Sequence, residues 1–243
     1  MSLKAVNFGI DGPVFVFNTF LIGCLLISGG LALVGWLTNT TLHEIESALI
    51  ITAGAVCFLI AATILWGSKV GKLRLRDEII NSLNLRGDEY ILGVGCGHGL
   101  LIIGAAKFLN KNGRAIGIDV WKEVDQAGNS PQATLKNAEI EGVADRVAVE
   151  TADARNMPFA DNFFDLILTS WVLHNLIRKR ERQKALSEIV RVTKSGGEII
   201  IADVWLGYEY AKFFRNAGLT QISVSRPYFL FFAPTFVVRA KKS

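Results

Sequence analysis

Two long stretches without a formal charge set the terms for this chain: Val14–Leu37, of 24 residues, and Ala48–Trp66, of 19. As helices they reach roughly 36 and 28 Å, against a bilayer hydrocarbon core of about 30 Å. Trp36 and Trp66 stand at the C-terminal ends of these runs, where interfacial aromatics belong. The intervening segment, Thr38–Ser47, is long enough to close a helical hairpin. Ser28, Gly29, Gly30 and Ala32 on the first run, with Ala53, Gly54 and Ala55 on the second, permit close helix approach. A cleaved signal peptide is disfavoured, because the first run is too long, Asp11 precedes it and a second span follows. A buried hairpin in a soluble protein is the other alternative.

Charge separates the rest of the chain from these runs. Residues 1–68 hold only Lys4, Asp11, Glu44 and Glu46, four of the 48 charged side chains in 243 residues. The other 175 carry 44, about a quarter of their length, as soluble globular domains do. The mean hydropathy of +0.35 therefore averages two materials joined near residue 68. A purely soluble enzyme, a many-pass transporter and a disordered chain are excluded. The second part is long enough for one domain with a real core.

The apolar part sums to −2 and the remainder to +6. No Lys/Arg stripe interleaved with stacking aromatics accompanies that basicity, which is assigned to a membrane-facing surface rather than to nucleic acid. The loop between the runs has no Lys or Arg, whereas Lys69, Lys72, Arg74 and Arg76 follow the second run. The positive-inside rule then places both termini and the large domain in the cytoplasm, as an integral membrane protein. Those four cations are expected against anionic headgroups, on a helix over 69–84 that lies along the membrane. The organisation expected is a membrane anchor over 1–68, a basic juxtamembrane helix or linker over 69–86, and a domain over 87–243. Cys24 and Cys57 lie in the apolar runs and Cys96 in a glycine loop, a usage that fits a reducing compartment.

From residue 88 apolar strand-like runs alternate with helical stretches. The runs are 90–94, 114–118, 147–151, 164–170 and 197–203, and helical spacing appears near 100–109, 130–141, 180–193 and 207–217. This alternation implies a parallel sheet covered on both faces. Two last strands near 221–226 and 235–241 have a short connection and read as an antiparallel hairpin. After the first run comes Gly95-Cys96-Gly97-His98-Gly99, opening a helix. Small residues let a backbone approach a ligand closely, and helix N-terminal N–H groups favour an anionic group. The spacing fits neither the dinucleotide fingerprint nor a P-loop. Asp119 ends the second strand, where a carboxylate can accept both hydroxyls of a ribose.

With the remaining motifs the stretch resembles the class I S-adenosylmethionine-dependent methyltransferases, the group with quinone, sterol and arsenite methyltransferases. Ile91–Gly99 resembles their first motif and Asp119 their ribose-binding acid. Asp153–Phe159 resembles the segment that holds adenine, the carboxylate receiving the exocyclic amine. Phe164–Asn175 resembles the fourth strand and its loop, and Glu188–Val192 with Ser195-Gly196-Gly197 the following helix and turn. Asp125–Asn129 resembles a loop of a poorly characterised bacterial branch. The resemblance covers about 88–241. It implies an α/β fold with a Rossmann-like seven-stranded sheet and C-terminal antiparallel hairpin, here preceded by a transmembrane helical hairpin. It also implies S-adenosyl-L-methionine as cofactor, with Gly95, Cys96, Gly97, Gly99, Asp119, Val120, Asp153, Ala154 and Ser170 as its binding residues.

One position departs from the family. Where it has an acid that orients the cofactor's methionine amino end, this chain has Gly93. Restoring an acid at 93 is the substitution expected to separate a weakened enzyme from a lost one.

Methyl transfer needs an aligned acceptor, exclusion of water and, for some acceptors, proton removal. No metal is implied, since His43, His98 and His174 are scattered. His174 is the histidine placed near the acceptor, as general base or as a packing residue. His98 is expected at the cofactor's carboxylate end, Cys96 as a small filler, and Trp121 either on adenine or at the sheet edge. Asp203 is expected either to face the acceptor or to cap a helix. Arg178, Lys179, Arg180, Arg182 and Lys184 read as a solvated helix face or a headgroup contact. Tyr228–Phe232 read as hairpin core or as a membrane-dipping loop. Two functions follow: a membrane-anchored methyltransferase acting on a lipophilic small molecule or lipid at the cytoplasmic leaflet, or a degenerate, non-catalytic module tethered for interaction.

Overall fold

The computed structural model describes residues 6–36, 41–229 and 233–243. Its first two elements are helices, α1 (Pro13–Trp36) and α2 (Thr41–Trp66), packed on each other. Both are long and apolar enough to cross a membrane. They meet through small residues. A Cβ at Gly54 would lie 2.7 Å from Ile27 Cγ1 and 3.0 Å from the Gly23 carbonyl oxygen, so only hydrogen fits there. Phe20 and Phe58 pack edge to face at 5.1 Å. The outward faces expose Phe17, Leu25, Leu31, Leu49 and Leu59. A soluble core helix covers such side chains, and none of the described residues does so here.

α2 starts ahead of the charge-free run, so Glu44 and Glu46 lie in its first turns rather than in a loop. Acids at a helix N-terminus are favourably placed against the helix dipole. Residues 37–40 and the side chain of Trp36 lie outside the described residues. Trp66 is exposed, with the Arg74 guanidinium 5.8 Å above its ring.

The stretch after α2 differs from expectation. α2 runs through a π-turn (Gly67–Gly71) directly into α3 (Lys72–Asn81). A π-turn inserts an extra residue and shifts the phase of the side chains that follow. α3 accordingly buries Leu75, Ile79 and Ile80 in the domain core against α4 (Leu100–Ala106). Lys72 is 1% exposed and bonded inside the protein, so it is no headgroup ligand.

The sheet has the order β3-β2-β1-β4-β5-β7-β6. Five parallel strands, β1 (Tyr90–Val94), β2 (Arg114–Asp119), β3 (Val147–Thr151), β4 (Phe164–Ser170) and β5 (Thr193–Val204), precede the antiparallel pair β6 (Thr220–Val224) and β7 (Thr235–Lys241). β5 is longer than its apolar run: it starts at Thr193, which pairs with Phe164 of β4, and β7 pairs with it from Glu198 to Val204. α3, α4 and α5 (Pro131–Ile140) contribute to one core cluster, and α6 (Lys179–Val192) and α7 (Gly207–Asn216) to a second one. The first strand order reversal falls between β1 and β4, and the C-terminal strand ends around it carry the loops that matter.

Two surface expectations also change. Arg182 turns inward to Glu209 at 3.0 Å and to the carbonyls of Leu176 and Ile177, both at 2.8 Å. Arg178, Lys179 and Arg180 remain exposed. Of the run Tyr228–Phe232, residues 230–232 lie outside the described residues. Tyr228 donates its hydroxyl to Glu78, and Phe229 is exposed.

Candidate active site

The glycine loop leaves β1 and enters α4. Cys96 N donates to the Ile118 carbonyl at 3.0 Å and Gly97 N to Asp119 Oδ2 at 2.8 Å, so the loop and the end of β2 fix each other. Asp119 Oδ1 accepts Trp121 N at 2.7 Å and Asn129 Nδ2 at 3.3 Å. This carboxylate is oriented by backbone and retains lone pairs for a diol. Beside it, Asn129 is buried and its Oδ1 has no partner among the described residues. A buried acceptor left unpaired costs about 1–3 kcal/mol, a loss that a ligand hydroxyl recovers. The residues present therefore fit a ribose-bearing cofactor.

Beyond β3, Asp153 is clasped by Arg155, whose backbone N lies at 2.8 Å and whose Nε at 2.9 Å. The Arg155 hydrogen bonds hold the Asp153 carboxyl below its usual range. Arg155 also reaches Glu181 at 2.8 Å.

Gly95, Cys96, Gly97, Asp119, Val120, Asp153, Ala154 and Ser170 line one open cleft. Gly99 lies behind it, at the N-cap of α4 with φ +85°, facing Ile103 and Thr134. Burial, with the Asp119 charge, pushes the Cys96 thiol well up, which disqualifies it as a thiolate nucleophile. Trp121 donates its indole N–H to Thr151 at 2.8 Å and stands at the sheet edge, outside the cleft lining. His98 departs from expectation. It is buried, and its Nδ1 lies 2.8 Å from the Asn7 carbonyl oxygen, turned to the segment before α1 rather than into the cleft.

His174 lies in a second, adjoining cavity, lined by Phe15 of α1 and Ile64 of α2 together with Trp171, Val204, Trp205 and Leu206. The two cavities share Asp11, Asp125, Trp171 and Asn175. His174 Nδ1 is 2.6 Å from Asp203 Oδ1. Asp203 is buried and also accepts His174 N, Val204 N and the Tyr210 hydroxyl at 3.0, 2.9 and 2.9 Å. It does not cap α7, whose N-cap is Leu206. Burial works against a charged His174, but the Asp203 hydrogen bond and the charges of Asp203 and Asp125 outweigh it and raise its pKa. With Nδ1 held by the carboxylate, Nε2 is the nitrogen left for chemistry.

Asp11, Lys72, Gln126, Asn129 and Arg155 also line the Asp119 cleft, and the sequence motifs single out none of them individually as a cofactor-binding residue. Asp11 carried one signal, as the lone acid ahead of the first apolar run. Gly93 has a steric reason: a Cβ there would lie 2.1 Å from Ile102 Cγ2, so the place of the expected acid is filled.

Comparison with known proteins agrees with this geometry. The family described as Methyltransferase domain matches residues 92–201. A demethylmenaquinone methyltransferase of Lactiplantibacillus plantarum is 32% identical over 127 residues, 51% of this chain and 49% of that protein. The sterol 4-C-methyltransferase strm-1 of Caenorhabditis elegans is 28% identical over 138 residues, 57% of this chain and 38% of that protein. The chain spans about half the length of the curated relatives it matches. A SAM dependent methyltransferase from Aquifex aeolicus shares the fold with a TM-score of 0.54 at 23% identity, over 73% of this chain and 98% of that one. The glycine loop, Asp119 and the β1–β4 strand reversal thus lie in a stretch, residues 92–201, that matches a methyltransferase domain and is similar in sequence to quinone and sterol methyltransferases.

Proposed function

We propose that this protein is a membrane-anchored methyltransferase that methylates a lipophilic acceptor at the cytoplasmic leaflet. The observation that carries the reading is the second cavity. It adjoins the donor cleft, and its wall includes Phe15 and Ile64, from the domain-side ends of both apolar helices. An acceptor dissolved in the bilayer reaches it without crossing water. The relatives with quinone and sterol substrates in their names support an acceptor of that character. The cations Lys69 and Arg74 beyond α2 support the cytoplasmic orientation.

S-adenosylmethionine bound in the cleft supplies an electrophilic methyl group on a sulfonium. Asp119 and Asn129 hold the ribose, and Asp153 with the Ala154 backbone holds the adenine edge. Gly95 and Gly97 give the backbone clearance along the cofactor, with Val120, Cys96 and Ser170 as the walls. His174 Nε2 takes a proton from the acceptor as it attacks, and Asp203 orients the ring and stabilises the imidazolium. Trp171, Trp205 and Leu206 give the acceptor side an apolar wall.

The test incubates the purified chain in bilayer nanodiscs with methyl-labelled cofactor and extracted membrane lipid. Label is expected in the organic phase, reduced about 10²–10⁴-fold by His174→Ala. Donor binding without any labelled lipid refutes the lipophilic acceptor.

A further inference from the structure

The donor cleft is completed by a segment that does not belong to the sheet domain. Residues 6–12, which lead into α1, lie across the glycine loop. Asn137 Nδ2 donates to the Asn7 carbonyl at 2.9 Å, Ala127 N to the Ile10 carbonyl at 3.0 Å, and Gly12 N to the Asp125 carbonyl at 2.9 Å. Asp11 is the acid of this segment and lines the cleft. Gln126 ties it to the loop: its Nε2 donates to Asp11 Oδ1 at 2.9 Å, and its Oε1 accepts His98 N at 3.0 Å. Asp11 Oδ2 accepts the Lys72 ammonium at 3.0 Å. The carboxylate is 26% exposed, and each oxygen has a lone pair left.

The order of acids around the cleft says what Asp11 faces. Asp153 lies beyond β3 and Asp119 ends β2, whereas Asp11 is shared with the cavity built on the loops after β4 and β5. A cofactor with adenine at Asp153 and ribose at Asp119 brings its amino-acid end toward Asp11. β1 offers no acid there, because Ile102 occupies the space a side chain at 93 would need. Asp125 is the other acid shared by the two cavities, and its charge acts on His174.

We infer that Asp11, on the segment entering the first membrane helix, receives the α-ammonium of S-adenosylmethionine, so the anchor supplies part of the donor site. This rests on the cleft being the S-adenosylmethionine site. The consequence is that donor binding senses how the anchor is seated.

The experiment is calorimetric titration of the whole chain in nanodiscs, wild type against Asp11→Asn and Asp11→Glu. The probes are S-adenosylhomocysteine, which has the amino-acid end, and 5′-methylthioadenosine, which lacks it. Losing one charge-assisted hydrogen bond weakens S-adenosylhomocysteine binding roughly ten- to hundredfold in Asp11→Asn. Methylthioadenosine binding is expected to stay within threefold of wild type, and Asp11→Glu to recover part of the loss. Unchanged S-adenosylhomocysteine affinity in Asp11→Asn overturns the inference. An equal loss of both ligands also overturns it, because Asp11 then only holds the segment in place. A wild-type chain that binds neither ligand refutes instead the assignment of the cleft.

Discussion

Lys72→Met tests how the two N-terminal helices and the sheet domain are joined. The Lys72 ammonium sits at the seam, 1% exposed, with the Phe8 carbonyl at 2.6 Å, the Gly9 carbonyl at 3.1 Å and Asp11 Oδ2 at 3.0 Å. Burial lowers its pKa while Asp11 opposes that shift, so the ammonium depends on these three acceptors. Methionine fills the same channel without the charge. Removing one partner of a buried pair costs about 3–5 kcal/mol. Asp11 can rehydrate and the Phe8 carbonyl keeps Gln126 Nε2 as a donor at 3.1 Å, which moves the cost down; the Gly9 carbonyl loses its donor, at about 1–3 kcal/mol where water is kept out, which moves it up. A net loss of about 3 kcal/mol, concentrated in residues 6–12, is the result to expect. At 1.4 kcal/mol per factor of ten it raises local opening roughly a hundredfold. Hydrogen–deuterium exchange on the whole chain in nanodiscs reads this directly, at the amides of Asp11, Gly12 and Ala127. Exchange there within threefold of wild type would refute the account of the seam.

Two further outcomes follow from single contacts. Gly93→Asp places a Cβ on Ile102, so it is expected to destabilise the domain by at least the 1–3 kcal/mol typical of overpacking, without raising donor affinity; a lower thermal midpoint checks it, and tighter S-adenosylmethionine binding contradicts it. Asp203→Asn removes the charge that stabilises protonated His174 against its burial, so the ring pKa should fall from its raised value. Because a base works unprotonated, methyl transfer rises with pH through that pKa, and in Asp203→Asn this limb moves to lower pH while the maximal rate drops. The facing groups are Asp203, Tyr210, Asp125 and Asp11, and NMR titration of the His174 ring in wild type and Asp203→Asn reads the Asp203 contribution; an unmoved His174 pKa sinks the pairing.

Much of the fold is written in local patterns. Alternating apolar runs and helical spacing mark the parallel sheet, and a short connection marks the β6–β7 hairpin. The glycine loop, Asp119 and Asp153 stand out in the sequence because each follows or ends an apolar run, although the bond that fixes Gly97 to Asp119 spans 22 residues. The missing pieces depend on contacts over long separations. Lys72 reads as one of four surface cations, yet beyond the π-turn at Gly67–Gly71 it lies inward against Phe8 and Asp11. Asp11 reads as a flank of an apolar run until Gln126, 115 residues away, holds it over the loop. His98 reads as a ligand of the cleft because it lies in the motif, yet Asn7 draws its ring to the other side. Gly93 reads as a lost acid, whereas packing against Ile102 shows a different local solution.

The most direct test of the whole account is calorimetric titration of the nanodisc-held chain with S-adenosylmethionine, wild type beside Asp119→Asn. Saturable binding with one site per chain is the expected result, weakened roughly ten- to hundredfold when the Asp119 carboxylate is replaced. No heat of binding up to millimolar cofactor, or equal affinity in the two proteins, would contradict it.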